Sequence, residues 1–128
     1  MTELSWVAQA GFLYLAFAAL SGWLMVIVVD KPELLTRAGV RAPGRFRQAH
    51  IDWILMALIL IAVGVALPEL GTAWQVMIVT SAIVNPAMFV PLAFAPEVKG
   101  RLWYRAIAIA SFLSMSAGTV AAAVTAIA

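Results

Sequence analysis

The sequence predicts a single all-α integral membrane domain, a bundle of four transmembrane helices spanning residues 1–128. Three observations carry that expectation. Hydrophobic residues make up 65% of the chain and charged residues only 11%, and the mean hydropathy is +1.03; a soluble domain has roughly a quarter of its residues charged. Four apolar stretches, about residues 4–29, 49–67, 72–95 and 102–127, each supply about the 20 residues that a helix needs to cross some 30 Å of hydrocarbon. The period-two alternation of a membrane β-barrel is absent from all four.

The connectors carry nearly all the charge. Lys31, Arg37, Arg41, Arg45 and Arg47 lie before or at the start of the second stretch, and Lys99, Arg101 and Arg105 flank the start of the fourth. The short connector at Pro68–Gly71 carries only Glu69. With all eight basic residues on one side, the positive-inside rule places loops 30–48 and 96–101 in the cytoplasm and both termini on the non-cytoplasmic side. The expected location is a bacterial cytoplasmic membrane. Thr2-Glu3 offers no basic n-region, and the run from Leu4 to Val29 is too long for the h-region of a cleaved signal peptide, so the first stretch reads as a span that stays.

The first connector has its own pattern. Asp30 reads as an N-cap with Glu33 as its capping-box partner, Pro32 falls in the first turn, and Gly39 is a stop signal. Leu34 and Leu35 would dip into the interface while the arginines meet anionic headgroups. The plainer reading is a solvated basic loop that sets topology. Ala42-Pro43-Gly44 then turns the chain toward the second span.

Within the first span Gly11, Ala18 and Gly22 allow close helix approach among Trp6, Phe12, Tyr14, Phe17 and Trp23. The third span is interrupted: Pro86 and Pro91 each remove a helical hydrogen bond, freeing the carbonyls of Ala82 and Ala87. Such backbone is tolerated at membrane depth only where protein or a polar cavity covers it. Asn85, beside Thr80 and Ser81, is the most polar group near mid-span; its plainest role is an interhelical hydrogen bond worth about 1 kcal/mol. In the fourth span Ala106, Ala110, Ser114, Gly118, Ala122 and Ala126 form a small-residue stripe. The stripe is a packing face for another helix, in this chain or a second copy.

Chemistry concentrates at Arg45–Trp53, which holds the one histidine, His50, and the one carboxylate set inside an apolar run, Asp52. Two residues apart on a helix, these side chains point about 200° apart and form no dyad. His50 shares its face with Trp53, Ile54 and Ala57. Ionisable residues within spans point to function by default, less strongly near an interface. With no cysteine and one histidine, the chain lacks the three or four protein ligands of a zinc site, and bis-histidine haem is excluded within one subunit. A single histidine can hold a haem iron from one side. Arg45 and Arg47 lie within a turn as cations for its propionates, and Trp53, Phe89 and the first span could wall the pocket.

From Arg45 to Phe94 the chain resembles the small four-helix membrane isomerases typified by styrene oxide isomerase and hydroxylaminobenzene mutase. The resemblance rests on the Ala49-His50 pair opening the second span, Asn85 in the third, and the shared size and topology. It implies haem b with His50 as the axial iron ligand at a subunit boundary. It further implies an open ferric face acting as a Lewis acid on the oxygen of an epoxide-like apolar substrate, which Asn85 would orient, giving a carbonyl product. The chain departs from the family pattern at Met56, where an asparagine is expected, and at Ser81 and Phe89, where a polar or acidic residue and a tyrosine are expected. The scaffold residues thus carry over better than the substrate-orienting ones.

The alternative expectation is a non-enzymatic structural or accessory subunit that assembles through small-residue faces. A small drug exporter is disfavoured because the first span has no carboxylate between Glu3 and Asp30. The expected partners are the lipid bilayer and further copies of this chain in a homo-oligomer, with no nucleic acid.

Overall fold

The computed structural model describes residues 3–128, and all regular structure among them is helical. The elements are α1 (Trp6–Leu20), α2 (Gly22–Asp30), α3 (Pro32–Arg37), α4 (Gly44–Ala66), α5 (Thr72–Ala87), α6 (Phe89–Phe94), a 3₁₀ turn (Pro96–Gly100) and α7 (Leu102–Ile127). Four helical segments are long and apolar enough to cross a membrane: α1–α2 (Trp6–Asp30), α4, α5–α6 (Thr72–Phe94) and α7. The spans pack in chain order, α1 on α4, α4 on α5 and α5 on α7, which makes the second and third spans central.

Glycines set the closest approaches. A Cβ on Gly64 would lie 2.2 Å from the backbone nitrogen of Ala8, and one on Gly11 would lie 2.7 Å from that of Ile61. Helices α1 and α4 therefore meet backbone to backbone, and Ser5 Oγ donates to the carbonyl of Gly64 at 2.7 Å across the same seam. On the other side Gly118 admits Ile78, whose Cγ1 lies 2.4 Å from where a Cβ would stand. Val7, Leu60 and Ile78 are fully buried at the heart of the core. Near the Glu69 connector Gln75, only 6% exposed, accepts from Trp6 Nε1 at 2.8 Å and donates to the carbonyl of Pro68 at 3.3 Å. These bonds tie the first span to the second connector and leave no buried polar atom of the amide unsatisfied.

The prolines act as their chemistry requires. Helix α5 runs through Pro86 and ends at Ala87, and the chain restarts as α6 at Phe89. The Ala82 carbonyl, which has no amide hydrogen at Pro86 to accept, instead takes the Tyr14 hydroxyl at 2.9 Å. Tyr104 O–H donates to the Met88 carbonyl at the break, at 2.7 Å. One hydroxyl from the first span and one from the fourth cover the interrupted helix.

The first connector differs from its sequence expectation at one end. Asp30 is the last residue of α2, so its backbone is helical and cannot cap the next helix; Lys31 stands at the N-cap of α3 without a side-chain cap bond. At the other end Gly39 stops the helix as expected, with φ +95°. Val40 N–H bonds the Leu35 carbonyl and Gly39 N–H that of Thr36, both hydrogen bonds of a Schellman motif. Arg45 and Arg47 are not in the connector, because α4 begins at Gly44.

This connector is fastened to the end of the third span. The backbone amides of Arg41 and Ala42 both donate to the Ala93 carbonyl, at 2.8 and 2.9 Å, and Arg41 Nη1 reaches both oxygens of Glu97. The Glu97 carboxyl is held below its ordinary value of 4.5 by its own backbone amide and then by the Arg41 guanidinium. A lowered carboxyl contributes fully above that ordinary value and loses its contribution as pH falls through the lowered one. The pair is solvent-exposed and its effect is local. Accordingly, Glu97→Gln should speed hydrogen exchange at the Arg41 and Ala42 amides while leaving the thermal midpoint of the bundle unchanged. Wild type should show the same local loosening, after correction for intrinsic exchange, only below the carboxylate range; loosening already present at neutral pH would count against the clamp.

Candidate functional site

His50 sits in the second turn of α4, where Ala49 and Ala18 bury the seam beneath it and Trp53 closes the next turn with its ring edge-on to Phe17 at 4.8 Å. Its partner is Ser21, the residue at which α1 ends and α2 begins. Ser21 Oγ lies 2.6 Å from the Ala18 carbonyl and 2.6 Å from His50 Nδ1. A hydroxyl has one proton, and a carbonyl can only accept. With that proton on Ala18, Nδ1 carries the imidazole hydrogen and donates it to Ser21 Oγ. In a neutral imidazole, that arrangement puts the lone pair on Nε2, the form that ligates metals. Among the described residues Nε2 has no hydrogen-bond partner, and it is not a buried unsatisfied atom.

Helical spacing divides the residues of this stretch between two faces. Arg47 lies three residues before His50 and shares its side of α4. Arg45 is about 140° away from His50 but within about 20° of Asp52, seven residues on. Arg45 Nη1 donates to Gln48 Oε1 at 2.8 Å, whereas Arg47 is exposed and makes no hydrogen bond or ion pair among the described residues.

Asp52 and Asn85 share a recess on a side of α4 that His50 does not line. They line a recess of about 180 Å³ between α4, α5 and α7, together with Phe89, Tyr104, Ala108 and Phe112. Ser111 Oγ bonds Asn85 Oδ1, which leaves the amide nitrogen as a donor without a protein acceptor among the described residues. Asp52 forms no ion pair or hydrogen bond there. His50 does not line the recess; Phe89, which does, also packs against the Ala18, Ala49 and Trp53 cluster. The structure thus brings Asn85 to Asp52 and leaves His50 with Ser21, Trp53 and Arg47.

Sequence reasoning did not single out Ser21, Ser111 or Tyr104. Ser21 had a signal, since a Ser-Gly pair inside an apolar helix is a frequent cause of a break. Tyr104 and Ser111 had none, because their partners are set by how α7 lies against α5. Among the described residues no three His, Asp or Glu side chains gather as a metal site. Comparison of the chain with protein-family models, with curated proteins and with solved structures gives no match.

Proposed function

We propose that this chain is a haem-b-binding integral membrane protein of the isomerase type, with loops 30–48 and 96–101 in the cytoplasm and two or more copies in the working assembly. The observation that supports it most is the Ser21–His50 hydrogen bond. It holds the ring at Nδ1 and, in the neutral imidazole with hydrogen on Nδ1, would present Nε2 as a single nitrogen donor, the ligand chemistry of a one-sided haem site.

His50 Nε2 would hold the iron, Arg47 on the same helical face would neutralise a propionate, with Arg45 a second cation from the same turn, and Trp53 would supply an apolar wall. When bound, haem supplies a Lewis-acidic metal centre toward the oxygen of a small apolar, epoxide-like substrate. Asn85 offers an amide N–H to such an oxygen. Because His50 does not line the recess that holds Asn85 in one chain, both would reach one substrate only across an interface between copies, which fits a homo-oligomer.

The test is the optical spectrum of the protein purified in detergent from haem-replete cells. A Soret band is expected, and its absence even after haem supplementation would end the proposal. One observation favours the accessory-subunit reading instead. Gly118 and Ala122 of the small-residue stripe are buried, but Ala106, Ala110 and Ala126 remain exposed and available to another helix. Stoichiometric co-purification of a partner with no cofactor would decide for that reading.

A further inference from the structure

The recess on the far side of α4 also holds the Asn85 amide of the haem reading, but its charge comes from Asp52 and its ligand can be tested without haem. Its one formal charge is Asp52, and the other charged or hydroxylic groups that face this region are already engaged. Tyr104 O–H is given to the Met88 carbonyl, Tyr14 O–H to the Ala82 carbonyl, and Arg45, on the same helical face nearer the basic end, to Gln48. Asp52 therefore forms no ion pair among the described residues, and the nearest cation on its face, Arg45, keeps its charge but bonds the neutral Gln48, whereas a carboxylate within a span is normally paired. Around it stand three aromatic rings, Phe89, Tyr104 and Phe112. Phe112, 62% exposed, is the most exposed of the three rings.

We infer that this recess binds a small organic ammonium ion, with Asp52 as its counter-charge and the rings of Phe89, Tyr104 and Phe112 against its apolar and cationic surface. The chemistry is that of an aromatic cage with one carboxylate, in which ring quadrupoles attract the cation and the low-polarity walls strengthen the charge pair. A volume of about 180 Å³ is below the ~300–1,000 Å³ of sites for drug-sized ligands. The ligand is therefore no larger than one ring with a short amine arm. A neutral alcohol of the same shape lacks the charge that Asp52 requires.

Isothermal titration in uncharged detergent micelles tests this, with 2-phenylethylammonium chloride as the probe and 2-phenylethanol as its neutral counterpart. The ammonium ion should bind saturably to wild type, and Asp52→Asn, which keeps the shape and removes the charge, should weaken it roughly thirtyfold or more. The alcohol should bind much more weakly and be indifferent to the substitution. Should Asp52→Asn fail to fold, Ala108→Leu fills the same recess from α7 and should abolish ammonium binding in a monodisperse protein. Equal binding of alcohol and ammonium, unchanged in Asp52→Asn, would overturn the assignment and make the recess a site for neutral molecules. Saturable binding of neither probe would overturn it as well. Neither result bears on the Soret band, so this inference and the haem proposal fail separately.

Discussion

Replacing Gly64 with alanine is expected to drive the first two spans apart, although alanine is the better helix former by about 1 kcal/mol. The new methyl group would stand 2.2 Å from Ala8 N and 2.6 Å from Ala8 Cα. These are backbone atoms of α1 and cannot rotate away as the end of a side chain can. Relief requires a shift of the whole helix, which also lengthens the Ser5–Gly64 hydrogen bond and loosens the contact of Gly11 with Ile61. Overpacking of this kind costs about 1–3 kcal/mol, so the net change should be destabilising, and Gly64→Val should be worse. Gly44→Ala is the control, because nothing lies within 4 Å of a Cβ at that position. In a detergent thermal melt followed by tryptophan fluorescence, Gly64→Ala should lower the midpoint and Gly44→Ala should not. A Gly64→Ala protein as stable as wild type would mean that α1 and α4 do not meet at this seam.

On the haem proposal, His50→Ala should remove the Soret band altogether, and Ser21→Ala should weaken haem retention while leaving the ligand in place. The second effect is the more informative. Without the serine hydroxyl, Nδ1 loses its acceptor, the imidazole divides between tautomers, and the ring is free to turn about the seam. Loss of a hydrogen bond that orients a metal-ligating histidine typically costs 10–100-fold in affinity. Ser21→Thr, which keeps the hydroxyl, should retain most of the wild-type affinity. The measurement is the rate of haem transfer to an apo-globin acceptor, read beside the position of the Soret band. Should Ser21→Ala and wild type release haem equally, the Ser21–His50 bond has no part in ligation. A band untouched in His50→Ala would remove the ligand assignment itself.

Much of the architecture was legible in the residues alone. Four apolar runs, each long enough to span, point to four helices, because a backbone in hydrocarbon must satisfy its own hydrogen bonds. The broken third span could also be read directly, since proline removes a donor wherever it stands. The capping box at Asp30–Glu33 could not: its pattern was present, but the first span continued through Asp30, and tertiary extension of a helix overrides a local cap signal. Gly64 gave no warning either, because a single glycine in an apolar run becomes informative only when its neighbour is known.

For the site, the sequence by itself determined the inventory. One histidine, one carboxylate within an apolar run, one mid-span asparagine and no cysteine restrict the chemistry before any fold is considered, and helical periodicity alone sets His50 and Asp52 on different faces of α4. Only the tertiary structure decided what each face meets. It turned His50 to the break at Ser21, where a hydroxyl holds the ring at Nδ1, and it turned Asp52 to Asn85 and the rings of α5–α7. The physical reason is that a helix fixes the angles between its own side chains, whereas their partners depend on the rotation and depth of neighbouring helices. Those are set by close contacts such as Gly64 on Ala8 and Gly118 on Ile78.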